Sequence, residues 1–465
     1  MRRHTVFGTV SLGLLLHSMS SFAAAVALSR IVTDLNTTIV LAGWVLSVYS
    51  LVFTFVMPLA GKVSERLGIK TTFILCTVLF TTGSAFSAVA PNIYLLVGAR
   101  ALQAMGAGGF MPCASGIVSE TFPEARQKYI GLFSSILPIG MVIGPNMGGW
   151  LTEVFGWRSI FWFNIPFGIA VLALAVMLLP NLKKKTASSV DFIGAGLLFG
   201  LLFTFMIGLT QLGAGESGVP WGLVTVMFAL SAGFLISFWR WERRAPEPVI
   251  HFDLLSKGPF LAANIHNLIY GICILGVLSL IPLYAVSVYG MSVLESGVLM
   301  TPRSLTMIAA SAITSFSLLK WGYRKPILAG TLLVALGLAL LALQPRGISV
   351  LGIGIGTPVL LYVIVGLSGI GHGVCTPASN NACIELMPDR VAAIMGLRGM
   401  FRQLGSTVGV NIAMLTLYVV GDPGRAFAVV LFASAAIMLV SIPAVFRMPA
   451  SPGVTGPGKI KLAVH

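Results

Sequence analysis

Residues 104–124 read AMGAGGFMPCASGIVSETFPE, and residues 369–389 read GIGHGVCTPASNNACIELMPD. The second stretch repeats the first at a constant offset of 265 residues: Gly106, Gly108, Pro112, Glu120, Pro123 and Glu124 return as Gly371, Gly373, Pro377, Glu385, Pro388 and Asp389. The match runs on without a gap, with Gly131, Leu132, Gly140, Gly144 and Asn146 returning as Gly396, Leu397, Gly405, Gly409 and Asn411. Because proline and acidic positions agree along with the glycines, the pattern marks an internal duplication rather than a chance run of small residues.

Outward from this repeat the chain is a series of apolar runs. Fourteen of them lie near residues 7–29, 41–60, 71–90, 93–117, 128–151, 158–180, 191–212, 221–240, 259–287, 293–319, 325–343, 357–381, 392–417 and 425–447, separated by charged or Pro/Gly breaks. Each is long enough to cross a hydrocarbon core of about 30 Å as a helix of about 20 residues. The repeat falls on runs four and five and again on twelve and thirteen. The expected fold is all-α and integral to the membrane: a six-helix bundle over 1–185, two inserted helices and a cytoplasmic loop over 186–257, a second six-helix bundle over 258–447 and a disordered cytoplasmic tail over 448–465. Two related halves in parallel orientation are a recurrent build of secondary carriers, which alternate access by rocking one half against the other. A channel needs no such repeat.

Composition agrees. The chain is 57% hydrophobic and 9% charged, whereas a soluble domain carries roughly 25% charge. The net charge of +15 does not point to nucleic acid, since the basic residues occupy short loops and no soluble basic face is available. With the N-terminus placed inside, the inner loops receive Lys62, Arg66, Lys70, Arg126, Lys128, Lys183, Lys184, Lys185, Arg240, Arg243, Arg244, Lys257, Lys320, Arg324, Lys325 and Arg390, and the outer loops only Arg30, Arg158, Arg346 and Arg425. This bias places both termini in the cytoplasm. Arg2-Arg3 before an apolar stretch and Ala23 to Ala25 has the outline of a signal peptide, but the apolar runs that follow favour an uncleaved first helix.

Enzyme and ATP-driven classes find no support. Cys76, Cys113, Cys273, Cys375 and Cys383 stand singly in apolar runs without metal-ligand spacing, so no metal and no cofactor are expected. Gly453 to Lys459 imitates a phosphate loop, yet Ile460 stands where a Ser/Thr would hold Mg²⁺. No HExxH motif or nucleophile elbow occurs.

Three motifs are more specific. The loop between the second and third runs reads Gly61-Lys62-Val63-Ser64-Glu65-Arg66-Leu67-Gly68-Ile69-Lys70, with a weaker echo at Lys320 to Lys325 around Gly322. The fourth run carries Arg100, Gln103 and Gly106, and the fifth reads Gly140-Met-Val-Ile-Gly144-Pro145-Asn146-Met147-Gly148-Gly149. Small residues four apart let helices approach closely, and Pro145 removes one backbone hydrogen bond. An Arg several residues inside an apolar span costs several kcal/mol by insertion scales, so Arg100 is expected to face the bundle interior.

Together with Trp157, Arg158, Phe161, Asn164 and Pro166, these motifs resemble the major facilitator superfamily. The fourteen runs and the element from Gly140 to Gly149 are similar to its fourteen-spanner drug:proton antiporter branch (QacA/EmrB-like). The resemblance implies the major facilitator fold, export of small amphipathic compounds driven by protons, a cytoplasmic latch at Gly61, Glu65, Arg66, Gly68 and Lys70, and a gating role for Gly140, Gly144, Pro145, Gly148 and Gly149. A bacterial cytoplasmic (inner) membrane, multi-pass and surrounded by lipid, is the implied location, and a monomer is expected.

The chain departs from that branch at one informative place. Members usually carry an Asp a few residues before a V-A-L-P-type segment in the first span, and here Val26-Ala27-Leu28-Ser29 occupies the segment and Ser20 the acid's position. All 14 acidic residues fall in loops or near span ends. Proton coupling needs a group whose charge changes within the membrane, which leaves His17, His266 and His372 as candidates, His17 and His372 foremost. Arg398 and Arg402 form an i,i+4 pair with Gln403 adjacent. With Arg100, and with Arg303, they would line a basic cavity without countercharge, which disfavours quaternary ammonium substrates and favours neutral or anionic amphipaths. The alternative is an importer or facilitator of an electron-rich planar nutrient such as riboflavin on the same fold.

Overall fold

The computed structural model describes residues 2–37, 39–181, 191–212, 219–246, 248–250, 258–350 and 353–451. Lys183 to Lys185, Lys257 and the phosphate-loop mimic at Gly453 to Lys459 lie outside the described residues, as does most of the expected tail. The helices in chain order are α1 (Arg2–Val26), α2 (Leu28–Asp34), α3 (Ile39–Leu67), α4 (Ile69–Ala88), α5 (Ile93–Thr121), α6 (Arg126–Phe155), α7 (Arg158–Leu178), α8 (Phe192–Leu212) and α9 (Trp221–Glu242). They continue with α10 (Gly258–Tyr270), α11 (Ile281–Tyr289), α12 (Val293–Val298), α13 (Met300–Trp321), α14 (Arg324–Ala342), α15 (Thr357–Leu386), α16 (Val391–Val420), α17 (Pro423–Val440) and α18 (Ile442–Arg447).

Among the described residues twelve segments are long and apolar enough to cross a membrane. Two further helices, α5 of 29 residues and α13 of 22, are as long but less apolar. The reason is compositional: α5 carries Arg100, Gln103 and a run of glycines, and α13 carries Arg303, Lys320 and a Ser/Thr-rich face. The twelve are rich in exposed large apolar side chains, such as Phe192 at 78%, Met177 at 74% and Trp221 at 63% exposure. Contiguous apolar surface on that scale needs lipid rather than water around it. In α9 only Val224, Ser231, Phe238 and Glu242 are buried, a seam spaced by seven and then four residues, and most of the other side chains are exposed.

The structure is not wholly helical. A two-stranded antiparallel hairpin, β1 (Ile348–Val350) with β2 (Ile353–Ile355), pairs Ile348 with Ile355 between α14 and α15. The alternation of β-branched residues with Ser and Gly suits a strand and cannot extend a helix from Gln344-Pro345-Arg346-Gly347. A second irregularity lies inside the ninth run, where a π turn (Gly271–Gly276) and a 3₁₀ turn (Val277–Leu280) separate α10 from α11.

The chain divides into two compact units: residues 1–195, 245–250 and 389–400 form the first, and 196–244, 251–388 and 401–465 the second. Inside unit 1, glycines of α5 accept their neighbours at backbone distance. A Cβ on Gly106 would collide with the Cys76 carbonyl on α4, and one on Gly108 would stand 2.9 Å from the Phe53 carbonyl on α3. The repeat partners on α15 behave alike inside unit 2: Gly371 would meet Gly330 of α14 at 2.8 Å, and Gly373 would meet Met307 of α13 at 2.5 Å. The duplication is therefore structural as well as textual. It reaches beyond the gap-free stretch at a second offset of 254, since Gly68 and Gly322 both take positive φ (91° and 71°) and Gly83 and Gly337 pack on Gln103 and Ser368, themselves 265 apart. The eleven residues between the two offsets enter in the connection that holds the hairpin.

Candidate functional site

Unit 1 buries a continuous polar network around Arg100, which is 1% exposed. Arg100 Nε donates to the Val45 carbonyl at 3.3 Å, and Nη1 donates to Gln103 Oε1. The guanidinium carbon lies 4.0 Å from the centre of the Tyr49 ring and 5.7 Å from that of Phe161. Gln103 Nε2 passes the network on, donating to Ser84 Oγ at 2.7 Å and to Ser20 Oγ at 3.2 Å, and Asn164 Nδ2 donates to the same Ser20 oxygen at 2.9 Å. Helical geometry explains half of this, because Arg100 and Gln103 are one turn apart on α5. Gly83 explains the rest: lacking a Cβ, it lets α4 come against the Gln103 backbone, which brings Ser84 within reach.

His17 joins through Tyr49. Its Nδ1 lies 2.7 Å from Tyr49 Oη, its ring stacks on Phe53 at 4.8 Å, and Ser21 Oγ donates to Tyr49 Oη at 3.2 Å. The structure thus brings together Arg100, Gln103, Ser20 and His17, four residues singled out from sequence. Among the described residues no carboxylate meets Arg100: a carbonyl, an amide oxygen and two aromatic faces surround it, which lowers the penalty of a buried cation through hydrogen bonding and cation–π attraction.

The element from Gly140 to Gly149 runs along α6 against α1. A Cβ on Gly140 would overlap Ser18, one on Gly144 would stand 2.8 Å from the Met19 carbonyl, and one on Gly148 would stand 2.7 Å from Ala23 Cα. Gly149 is looser, its nearest neighbour being the Val26 side chain at the end of α1, 3.8 Å from where a Cβ would stand. Ser18 Oγ donates at 2.9 Å to the Leu137 carbonyl. Pro145, further along α6, has no N–H to give. Since Ser20 lies on the same helix as these contacts, any shift of α6 along α1 is felt at the polar network.

Unit 2 holds the second cluster. Arg303 on α13 is 2% exposed; its Nη2 donates to the Ile274 carbonyl in the π turn at 3.2 Å and lies 3.5 Å from His372 Nδ1. Tyr270 Oη donates to the His372 carbonyl at 3.2 Å and shares a 2.8 Å hydrogen bond with Thr376 Oγ1. The Tyr270 and His372 rings meet edge to face at 5.4 Å. His266 stands apart from Arg303, its Nδ1 3.1 Å from Ser441 Oγ and its Nε2 3.8 Å from Cys375 Sγ. On α16, Arg398 is buried whereas Arg402 and Gln403 are half-buried; Arg398 belongs to unit 1 and the other two to unit 2.

The end of α3 and the start of α4, which meet at Gly68, make the following contacts within unit 1. Glu65 Oε1 lies 3.9 Å from Arg390 Nε, an ion pair without a hydrogen bond, and Lys70 Nζ donates to the Val176 carbonyl at 3.0 Å. A Cβ on Gly61 would stand 2.6 Å from Ala393 Cα, and Gly68 supplies the positive φ of the turn. Arg66 is exposed.

Sequence reasoning missed Tyr49, Ser84, Tyr270 and Thr376. The only signal for Tyr49 was its four-residue spacing from Phe53, and for the π turn the bracketing pair Gly271 and Gly276.

These features define a class: a multi-pass membrane transporter built from two internally related helical units, each holding a buried guanidinium. The chain belongs to the Major Facilitator Superfamily, whose profile matches residues 10–410 and 268–462. It is 32% identical over 400 residues to the uncharacterized MFS-type transporter YvkA of Bacillus subtilis, covering 85% of this chain and 87% of that one. To the multidrug transporter protein MdtP of the same organism it is 28% identical over 393 residues, 83% of this chain and 70% of that one. The crystal structure of the human organic anion transporter MFSD10 (TETRAN) superposes with a TM-score of 0.67 at 15% identity, covering 95% of this chain and 99% of that one. This last likeness is one of fold. Family and fold are those of transporters and not of enzymes.

Proposed function

We propose that the protein is a secondary active exporter that moves small neutral or anionic amphipathic compounds across a bacterial inner membrane in exchange for protons, by alternating access and without ATP. The observation that carries this reading is Arg100, a guanidinium buried in unit 1 whose neighbours are a carbonyl, Gln103 and aromatic rings in place of a carboxylate. A cation held this way repels a second cation and attracts an anionic or electron-rich group. The multidrug transporter among the relatives supports the export direction.

His17 is the coupling group in this reading. As the neutral ring protonated on Nε2, its Nδ1 accepts from Tyr49 Oη; as an imidazolium it can only donate, so the Tyr49 hydroxyl turns while its ring remains against Arg100. A proton arriving at His17 is thereby communicated to Arg100 through one side chain. The proposal includes α5 and α13 as spans, which brings the total to fourteen, with two six-helix bundles over 1–185 and 258–447, both termini cytoplasmic, the loop of Glu65 and Lys70 as the inner latch, and a monomeric carrier.

The test is transport in everted membrane vesicles. A pH gradient should drive accumulation of a neutral or anionic amphipath, an uncoupler should abolish it, and Arg100→Ala should reduce it by at least tenfold. Accumulation by intact cells instead of extrusion, or full activity in Arg100→Ala, would overturn the reading.

A further inference from the structure

The buried guanidiniums of Arg100 and Arg303 are unequally satisfied. Each carries five N–H donors in a fixed fork. Arg100 spends its Nε on the Val45 carbonyl and Nη1 on Gln103, and rests on the Tyr49 ring. Arg303 has its Nη2 between the Ile274 carbonyl and His372, but its Nε is buried without a hydrogen-bond partner among the described residues. A buried donor left unmatched is destabilising, and the Nε and Nη edge of a guanidinium is the edge that a carboxylate engages with two parallel hydrogen bonds.

The backbone around Arg303 is shaped for that purpose. Gly369 lets α15 meet the Arg303 backbone directly, and Gly373 does the same one turn later at Met307, so the pair of glycines sets His372 beside the guanidinium. The facing element is the π turn Gly271–Gly276, which breaks the regular hydrogen-bond ladder of the ninth run and turns the Ile274 carbonyl to Arg303. Single π turns inside α-helices recur at functional sites. Tyr270 and Thr376 complete the wall, their hydroxyls bonded to each other and to the His372 carbonyl.

We propose that Arg303 receives the acidic group of an anionic substrate at the π turn, with His372 and Tyr270 beside it, while Arg100 serves coupling and sets a field against cations without itself holding the acid. This rests on the export reading and deepens it: the preferred substrate is an amphipathic carboxylate. Arg303 is buried in the structure, so the proposal requires unit 2 to open during the cycle to admit the ligand.

The experiment uses the full-length protein in detergent and in everted vesicles, with 1-naphthylacetate and its uncharged isostere 1-naphthylacetamide as probes. Calorimetry should show the wild type binding the acid about tenfold or more tightly than the amide, the size expected of a charge-assisted hydrogen bond. Arg303→Gln should bring that ratio to about one by weakening the acid alone, and Arg303→Lys should keep part of it. Should Arg303→Gln fail to fold, the Lys variant and the wild-type ratio still decide. Equal affinities in the wild type, a preserved ratio in Arg303→Gln, or its loss in Arg100→Gln with Arg303 intact overturns the proposal. Export of both probes at equal rates overturns it and leaves the export reading standing, whereas uptake in place of export overturns the reading beneath it.

Discussion

Arg324 Nη2 donates to the Phe446 carbonyl at 2.8 Å, as Lys70 Nζ in unit 1 donates to the Val176 carbonyl at 3.0 Å. Both residues follow a positive-φ glycine by two, and both land on the last turn of a helix, α7 and α18, where unpaired carbonyls carry partial negative charge. In unit 2 the contact is larger: Arg324 also donates to Met448, Tyr323 N donates to the Ala450 carbonyl at 2.8 Å, and a Cβ on Gly322 would stand 2.7 Å from that oxygen.

Arg324→Ala should therefore lower stability by about 1 to 2 kcal/mol, the loss of charge-assisted bonds to helix-terminal carbonyls. Lys70→Ala, removing one exposed bond, should lower it by less than about 1 kcal/mol. Thermal unfolding of the solubilised variants measures both. Equal losses at the two positions would show that the echo loop does not fasten the chain around Ala450.

The glycines of α5 separate into two kinds. Gly106 has no room for a methyl group, since its Cβ would collide with the Cys76 carbonyl and the Phe80 backbone, whereas Gly98 has nothing within 4 Å. Gly106→Ala should destabilise by about 2 to 3 kcal/mol through overpacking against rigid backbone. Gly98→Ala should be neutral or stabilising by up to about 1 kcal/mol. A tolerated Gly106→Ala would mean that α4 and α5 are not in backbone contact.

Outside the spans, Asp34 Oδ2 accepts from Trp157 Nε1 at 2.9 Å and from Arg158, whose Nη2 also donates to the Ala90 carbonyl at 3.1 Å. The hydrogen bond from Trp157 and then that from Arg158 hold the Asp34 carboxyl below its ordinary value of 3.8. A lowered carboxylate contributes stability above its unfolded pKa and loses it as pH falls through the folded one. The deficit of Asp34→Asn against wild type should thus be constant from pH 8 to about pH 5 and shrink below the ordinary carboxylate range. The pair is half-exposed, so salt should diminish the deficit as well. A deficit that widens as the medium is acidified would contradict the assignment.

Sequence made the duplication and the polar content of the fourth run legible because both are local. Glycines, prolines and acids at a fixed offset need no tertiary knowledge, and Arg100 with Gln103 follows from helical spacing. Counting back from Val26-Ala27-Leu28-Ser29 singled out Ser20, and the structure sets its Oγ 3.2 Å from Gln103 Nε2. Tyr49 and Asn164 reach the same network from other helices, over 28 to 144 positions of chain where no local pattern connects them. The π turn was hidden by an apolar run that any regular helix could also use. The hairpin of Ile348 to Ile355 was read as a simple break because six strand residues cannot be told from a loop by periodicity.

Ser20 offers the sharpest test of substrate charge. Its oxygen accepts from Gln103 at 3.2 Å and from Asn164 at 2.9 Å, two donors converging as they would on a carboxylate. Ser20→Asp would set an anion at the end of the chain of bonds that leads through Gln103 to Arg100, neutralising the local field of the buried guanidinium. If that field is what excludes cations, Ser20→Asp should confer export of a lipophilic cation such as ethidium, by severalfold in energised cells, and should weaken export of an anionic amphipath. Ser20→Asn, isosteric but uncharged, should do neither, which separates charge from shape. Ethidium efflux unchanged by the Asp variant, in a protein shown to reach the membrane, would mean that Arg100 does not set substrate charge and that selection lies elsewhere in the fold.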